Sequence, residues 1–100
     1  MRLIMSGAAG RMGQCIIGLI QRAEDCELAG AVEISGHPAV GLDAGTFAGY
    51  GVVGVEVSDV LEKVVDQADA VIDFSLPSGT MENAKICAKH STPLVIGTTG

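Results

Sequence analysis

Short apolar segments alternate with segments of helical periodicity along this chain of 100 residues. The apolar segments lie at 3–5, 28–32, 70–74 and 93–97. Strands that alternate with helices in this order need crossover connections, which favour a parallel sheet covered by helices on both faces. The sequence therefore predicts an α/β fold with a doubly wound parallel sheet.

The segments between the predicted strands differ in character. The apolar residues that repeat at helical spacing are Met12, Ile16, Leu19, Ile20 and Ala23 in the first helix, and Met81, Ala84 and Ala88 in a helix opened by Pro77 and Ser78. Residues 34–54 are rich in glycine and have no clear period, so we expect a long surface loop with a short strand near 52–57. After it, a helix capped by Ser58 should carry Val60, Leu61, Val64 and Val65.

Composition excludes several classes of protein. The formal net charge is −6 and the six basic residues are scattered, which argues against nucleic-acid and membrane-surface binding. No apolar run approaches the ~20 residues of a membrane span, and the first residues do not read as a signal peptide, so we expect a cytoplasmic protein. Cys15, Cys26 and Cys87 form no C-x-x-C pair, which predicts reduced, mostly packed thiols and no metal site.

The segment GAAGRMG at residues 7–13 follows the first predicted strand and opens the first helix. Gly7 suits a tight turn, and Gly13 suits close packing of the helix on the strand. The start of the helix offers N–H groups and partial positive charge to a pyrophosphate, and Arg11 can add a full charge. Since Ala9 stands where the G-x-G-x-x-G fingerprint has its second glycine, the Rossmann-type reading depends on this strand–loop–helix context.

Glu33 ends the second predicted strand, twenty residues after Gly13. An acidic residue at this position typically accepts hydrogen bonds from the adenosine ribose of a dinucleotide. No arginine follows it, because Ile34 and Ser35 come next. The expected cofactor is NADH, NADPH or both; NADH should be at least tolerated, and the repulsion between a carboxylate and a 2′-phosphate favours it.

Several motifs occur together in the order found in one family. GAAGRMG, AVE, VGLDAG, VIDFSLPSGT and PLVIGTTG span essentially the whole chain. In this the sequence resembles the 4-hydroxy-tetrahydrodipicolinate (dihydrodipicolinate) reductases of lysine and diaminopimelate biosynthesis. GRMG and IGTTG are fairly specific as a pair and not alone. Two positions depart from the family pattern, because Ile34 and Leu76 stand where arginine is familiar, which puts a strong NADPH preference in doubt.

The resemblance implies a set of cofactor contacts. The pyrophosphate and the adjoining ribose would be held by Gly7, Ala8, Ala9, Gly10, Arg11, Met12 and Gly13. Glu33 would hold the adenosine ribose, and Phe74 and Ser75 would lie beside the cofactor. Gly97, Thr98 and Thr99 would line the nicotinamide end, with Thr99 also reaching the substrate.

The resemblance also implies that residues 1–100 are the dinucleotide-binding domain of a longer, homotetrameric enzyme. The catalytic histidine and lysine of the family belong to a substrate domain expected beyond Gly100, and His37 and His90 do not match that motif. We therefore expect the chain alone to bind dinucleotide as a monomer or weak dimer and to be inactive. Asp73, at the end of a buried strand, is interpreted as structural, hydrogen-bonded to a loop backbone.

Two other functions stay open from the sequence. One is a different nicotinamide-dependent dehydrogenase, of aspartate or sugar type, which the pair GRMG and IGTTG disfavours. The other is a non-catalytic NAD(H)-sensing module of a regulator. A basic DNA-binding segment would support the sensing module, and the sequence contains none.

Overall fold

The computed structural model of the chain describes residues 1–97 and places β1 at the centre of the sheet. The strands are β1 (Arg2–Ser6), β2 (Glu27–Val32), β3 (Val57–Ser58), β4 (Ala70–Asp73) and β5 (Leu94–Ile96). Within the described residues their order is β3–β2–β1–β4–β5, and all pairings are parallel. Because the chain moves to one side of β1 and later returns to the other, strand order reverses at β1, where such sheets form their ligand crevice.

Helices cover both faces of the sheet, which confirms the predicted fold class. The helices are α1 (Arg11–Arg22), α2 (Ala44–Ala48) and α3 (Pro77–Lys89). On one face Leu3 and Met5 of β1 pack with Ile17 and Ile20 of α1. On the other face Ile4 packs in a second cluster with Leu61, Val65, Val71 and Cys87. Alternate residues of β1 thus belong to two separate cores, as the pleat of a strand requires.

The prediction of a helix after Ser58 is wrong. Ser58 ends β3, and two 3₁₀ turns follow at Leu61–Lys63 and Val65–Gln67. The hydroxyl of Ser58 accepts a hydrogen bond from Val60 N at 3.1 Å, which closes a local turn and does not cap a helix. The crossover is short because Asp69 N already donates to Arg2 O at 2.8 Å, where β4 is about to begin.

The predicted apolar faces of two helices are also partly wrong. Met12 and Leu19 of α1 are 51% and 58% exposed, whereas Gly13 and Gly18 are buried. In α3, Met81 is exposed, and Asn83 and Cys87 are the buried residues. Both helices therefore approach the sheet partly through small or polar residues, which hydrophobic periodicity does not register.

The glycine-rich segment 34–54 is an ordered loop that contains α2 and leads to β3. Asp43 organises it, since its carboxylate accepts from Thr46 N at 2.9 Å, Val53 N at 3.1 Å and Gly54 N at 2.8 Å. The hydrogen bond from Thr46 N, which caps α2, contributes most to lowering the pKa of Asp43 from 3.8 to about 2. Asp43 therefore joins the two ends of the α2 loop.

Replacing Asp43 with alanine should remove one part of the acid sensitivity of the fold. Because the folded pKa of about 2 lies below the ordinary 3.8, this stabilisation is present above about pH 4 and is lost as the pH falls toward about 2. We expect Asp43→Ala to lower the Tm at neutral pH and to flatten its decline at acid pH, measured by circular dichroism. Asp25→Ala, at an exposed residue before β2, is the control; equal acid slopes in all three proteins would contradict this role.

Candidate functional site

The loop between β1 and α1 (residues 7–10) folds back on the end of β2. Gly7 N and Ala8 N both donate to Val32 O, at 2.9 and 3.1 Å, and Gly10 N donates to Gly7 O at 3.2 Å. Gly7 has a φ of +81°, and a Cβ on it would lie 2.9 Å from the main chain of Phe74. Glycine is therefore required here by backbone conformation and by the approach of a neighbouring loop.

Gly10 and Gly13 play different parts in this loop. A Cβ on Gly13 would overlap the Gly7 carbonyl oxygen, so its absence lets α1 begin directly against the loop. Gly10 has a φ of −72°, and a Cβ there would meet only Gly7 O, at 3.5 Å, an ordinary contact. The fold therefore tolerates a Cβ at position 10. The absence of that Cβ leaves the surface of the loop open to a ligand.

The N-terminus of α1 is open to an anion. Its first hydrogen bond is donated by Gln14 N to Gly10 O at 2.9 Å, and Arg11 N, Met12 N and Gly13 N have no acceptor within residues 1–97. No side chain caps this end, and the first turn contains no acidic residue. Three N–H groups and the positive end of the helix dipole therefore point to the same place, as a phosphate requires.

Glu33 is fixed beside this helix end. Its Oε2 accepts from Ala9 N and its Oε1 from Ile34 N, both at 2.9 Å. A carboxylate offers about four acceptor positions, so two remain for a ligand. Gln14 holds the other side of the loop, because its Nε2 donates to Ala9 O at 2.8 Å. Sequence reasoning placed Glu33 at the ribose but missed that it also holds the glycine loop.

A buried polar network lies beneath the turn between β4 and α3. The Oδ1 atom of Asp73 accepts from Ser75 N at 2.9 Å and from the Ser75 hydroxyl. The amide of Asn83 donates to Ser6 Oγ at 2.8 Å and to Asp73 Oδ1 at 3.4 Å. Asp73 is fully buried, and its Oδ2 has no hydrogen-bond partner among the described residues. The backbone contact predicted for Asp73 is confirmed, whereas Ser6 and Asn83 were missed.

The predicted nicotinamide end is described only as far as Gly97. Phe74 N donates to Ser6 O at 3.0 Å, and Gly97 N donates to Asp73 O at 2.8 Å. The ring of Phe74 lies on Gly97 so closely that a Cβ there would overlap it. The β4–α3 turn and the end of β5 thus meet. Thr98 and Thr99, which were predicted to contact nicotinamide and substrate, lie outside the described residues.

Two cavities adjoin the carboxyl ends of the strands. The smaller, of about 150 Å³, is lined by Gly7, Gly10, Glu33, Ile34, Phe74, Ser75 and Leu76. The larger, of about 420 Å³, lies between the end of β2 and helix α3. Glu33, Ile34, Ser75 and Gly7 line both cavities. Of the described cofactor-site candidates, five line these cavities: Gly7, Gly10, Glu33, Phe74 and Ser75. The other six line neither of the two: Ala8, Ala9, Arg11, Met12, Gly13 and Gly97.

The larger cavity carries negative charge. Glu33, Asp59, Glu62 and Glu82 line it, and no described lysine, arginine or histidine does. Aliphatic side chains supply much of the remaining wall: Val32, Ile34, Val60, Leu61 and Ile86. Such a cavity suits a flat, apolar group that carries hydrogen-bond donors and disfavours an additional anion.

His90 directly follows α3, at its C-terminus, and ties it to the 3₁₀ turns. Its Nε2 lies 3.0 Å from Glu62 Oε2, and its Nδ1 lies 2.9 Å from Asp66 Oδ1. The contact with Glu62 contributes most to raising the pKa of His90 above 6.5. His37 has a local structural role, because its Nδ1 accepts from Ala39 N at 3.0 Å and its ring packs edge-on against Phe47.

The cysteines are free, and their packing differs. Cys87 is buried, Cys26 is partly buried against the core, and Cys15 is exposed, so the expectation of packed thiols is wrong for Cys15. Burial, and then the charge of Asp73, raises the pKa of the Cys87 thiol. Within residues 1–97, no helix is long and apolar enough to cross a membrane, and no three His, Cys, Asp or Glu residues are placed to hold a metal ion.

Known proteins resemble this chain along its whole length. A family model described as "Dihydrodipicolinate reductase, N-terminus" matches residues 1–100. Proteins named 4-hydroxy-tetrahydrodipicolinate reductase from Citrifermentans bemidjiense and Geotalea daltonii are 46% and 48% identical over 99 residues. Each alignment covers 99% of this chain and 37% of the relative, so the chain spans about 37% of the length of the curated relatives it matches.

Two solved structures share the fold. An amine dehydrogenase from Mycobacterium smegmatis aligns with a TM-score of 0.78 and 28% identity, over 95% of this chain and 29% of that one. A dipicolinate-bound dihydrodipicolinate reductase from Paenisporosarcina sp. TG-14 aligns with a TM-score of 0.76 and 23% identity, over 99% of this chain and 37% of that one. These structures support the fold, and the family model, which covers every residue, shows that the chain belongs to the dihydrodipicolinate reductase N-terminal family.

Proposed function

We propose that residues 1–100 are the nicotinamide-dinucleotide-binding domain of a 4-hydroxy-tetrahydrodipicolinate reductase, with the substrate domain elsewhere in the protein. The observation that carries this proposal is the open end of α1, where three N–H groups lack acceptors within the described residues and Glu33 is fixed alongside. The family assignment adds the reaction class. The described residues fit a dinucleotide, because the space that a Cβ on Gly10 would fill is free of close contacts.

Each predicted residue then has a part in binding. The N–H groups of Arg11, Met12 and Gly13 would hold the pyrophosphate, with added charge from the exposed Arg11 side chain. The N–H groups of Gly7, Ala8, Ala9 and Gly10 already have protein acceptors, so these residues would shape the cradle rather than donate to the ligand. Glu33 would accept from the adenosine ribose, and Phe74, Ser75 and Gly97 would border the path to the nicotinamide, with Thr98 and Thr99 following.

A nicotinamide dinucleotide held at Glu33 and the start of α1 would supply a hydride, which with one proton would convert 4-hydroxy-tetrahydrodipicolinate to tetrahydrodipicolinate and water. No residue of this chain is assigned as the general acid, because the catalytic residues are proposed to lie in the substrate domain. The role of this chain is to orient the dinucleotide and, through Thr99, to contact the substrate. We expect the isolated chain to bind cofactor without turnover; reductase activity from residues 1–100 alone would contradict this division of labour.

The surroundings of Glu33 favour NADH over NADPH. Ile34, which follows Glu33, is 57% exposed and provides no charge for a 2′-phosphate. The whole protein is proposed to act in the cytoplasm as a homotetramer, with this chain alone a monomer or weak dimer. The alternatives, another dehydrogenase or an NAD(H)-sensing module, are less well supported because the family model and the relatives named above share the reductase name.

Substitution of Glu33 tests the proposed site. Loss of a hydrogen bond to a charged group should weaken NADH binding by about 1–3 kcal/mol in Glu33→Ala, measured by calorimetric titration, and NADPH binding should suffer less. Glu33→Gln keeps an acceptor for Ala9 N–H and separates loop damage from the loss of charge. Glu24→Ala, at an exposed residue before β2, is the matched control. Equal losses for both cofactors in Glu33→Gln would remove Glu33 from ribose recognition.

A further inference from the structure

Asp59 lies beside Glu33 although 26 residues separate them in the sequence. Glu33 N donates to Ser58 O at 2.9 Å, which joins the end of β2 to the end of β3. Asp59 directly follows Ser58, so it begins the next segment at the point where Glu33 leaves the sheet. Both side chains line the cavity of about 420 Å³.

The hydroxyl of Ser35 connects the two segments, because it donates to Asp59 Oδ2 at 3.2 Å. Ser35 carries the first side-chain donor after Glu33, since Ile34 has none. A hydroxyl at this place is a natural partner for a phosphate oxygen, but here it is engaged with a carboxylate. The two residues that directly follow Glu33, Ile34 and Ser35, therefore offer an anion neither a cation nor an unengaged hydroxyl.

The charge of Asp59 is not neutralised by the described residues. Glu62, on the same wall, pairs with Lys89 at 2.8 Å and with His90. Asp59 forms no ion pair within residues 1–97, and the described lining of the cavity contains no basic residue. Asp59 therefore contributes more unneutralised negative charge to the space next to Glu33 than Glu62 does.

We propose that Asp59 is a second specificity-determining residue, which acts with Glu33 to exclude dinucleotides that carry a 2′-phosphate. The inference depends on the proposed function, because it places the adenosine ribose at Glu33. It adds a determinant of cofactor specificity from the crossover between β3 and β4, outside the strand–loop–helix fingerprint. It also implies that Glu33 substitutions alone only partly relieve the discrimination against NADPH.

Calorimetric titration of the 100-residue chain with NADH and NADPH tests the proposal. Asp59→Asn keeps an acceptor for Ser35 and removes one charge. We expect it to tighten NADPH binding by roughly three- to tenfold at about 20 mM salt and to change NADH binding by less than about twofold. The gain should shrink at about 300 mM salt, because the interaction acts through a screened field.

Three further variants complete the experiment. Asp25→Asn makes the same charge change before β2 and should leave the ratio of the two affinities unchanged. Ser35→Ala frees Asp59 without altering charge and should also leave that ratio unchanged. Asp59→Lys should give a larger NADPH gain than Asp59→Asn, and circular dichroism checks that each variant is folded.

The possible failures are distinguishable. Wild-type chain that binds neither dinucleotide would overturn the proposed function, and the role of Asp59 with it. NADH binding with an unchanged NADPH-to-NADH ratio in both Asp59 variants would overturn the role of Asp59 alone. An equal gain in Asp25→Asn would reduce the effect to net charge and would also overturn the proposal.

Discussion

Replacing Gly10 with alanine should leave the fold intact and weaken dinucleotide binding by about tenfold or more, which corresponds to about 1.4 kcal/mol. A Cβ at this position would meet only Gly7 O, at 3.5 Å, and the φ of −72° suits alanine. The new methyl group would instead stand at the N-terminus of α1, beside the N–H groups proposed to hold the pyrophosphate. Thermal unfolding and calorimetric titration of Gly10→Ala with NADH measure the two effects separately.

Gly13→Ala is the matched comparison and should behave in the opposite way. Its Cβ would overlap the Gly7 carbonyl oxygen, so α1 must move away from the loop. Overpacking of this kind costs about 1–3 kcal/mol of unfolding free energy, which lowers the Tm of a domain of this size by about 5–20 °C. If Gly10→Ala binds NADH as tightly as the wild type, the pyrophosphate does not lie at this helix end.

The contrast between these glycines shows what the sequence could and could not predict. Spacing identified GAAGRMG as a turn before a helix, and the structure confirms that position. The fingerprint assigned Gly7 to a tight turn and Gly13 to close packing of the helix, and the structure supports both roles. That Gly10 has no such backbone role is a distinction that only the structure makes. That distinction depends on where the carbonyl of Gly7 points, and this is fixed only when the loop folds back on Val32.

Strands were predicted better than helix faces, for a physical reason. β1, β2 and β4 each bury apolar residues in a short run, which the sequence displays directly, whereas Val95 and Ile96 of β5 are exposed. The face of α1 is set partly by Gly13 and Gly18, because a Cβ on Gly18 would overlap the ring of Tyr50. Hydrophobic periodicity counts such glycines as neutral and turned attention to Met12 and Leu19, which are exposed.

The helix prediction for the segment after β3 failed for a related reason. Val60, Leu61, Val64 and Val65 were predicted to form one helical face, but only Leu61 and Val65 are buried. Ser58 is held in the sheet through Glu33 N and Asp69 is held by Arg2 O, so both ends of the segment between them are fixed, and it forms two 3₁₀ turns. Long-range hydrogen bonds thus overrode the local pattern and placed Asp59 at the cavity.

The sequence analysis selected the charged and glycine residues of the proposed site and missed the buried polar residues beneath it. Glu33 was identified because the fingerprint gives its distance from the glycines. Asn83 could have been noticed as a polar residue within α3, but its partner Ser6 is 77 residues away in the sequence. No local rule pairs them, since both converge on Asp73 only in the folded sheet.

The second large effect of a substitution is expected at Asp73, which lies in the buried polar network. Asp73→Ala removes the acceptor of Ser75 N–H and one acceptor of the Asn83 amide, in a place with no exposure to water. Unsatisfied buried donors and the cavity left behind should together lower the unfolding free energy by about 2–4 kcal/mol, measured by urea denaturation. Asp25→Ala, which removes a carboxylate at an exposed residue, should change it by less than about 0.5 kcal/mol.

Asp73→Asn separates the shape of this side chain from its charge. Its carbonyl oxygen can still accept from Ser75 N, but its amide then replaces Oδ2, which has no partner within the described residues. A buried donor without an acceptor destabilises the fold, so Asp73→Asn should fall between the wild type and Asp73→Ala in unfolding free energy. If instead Asp73→Asn is as stable as the wild type, the acceptor at Oδ1 suffices and the stability of the fold does not require an acid at this position. If Asp73→Ala is equally stable, the network does not support the β4–α3 turn, and the placement of Ser75 beside the cofactor loses its structural basis.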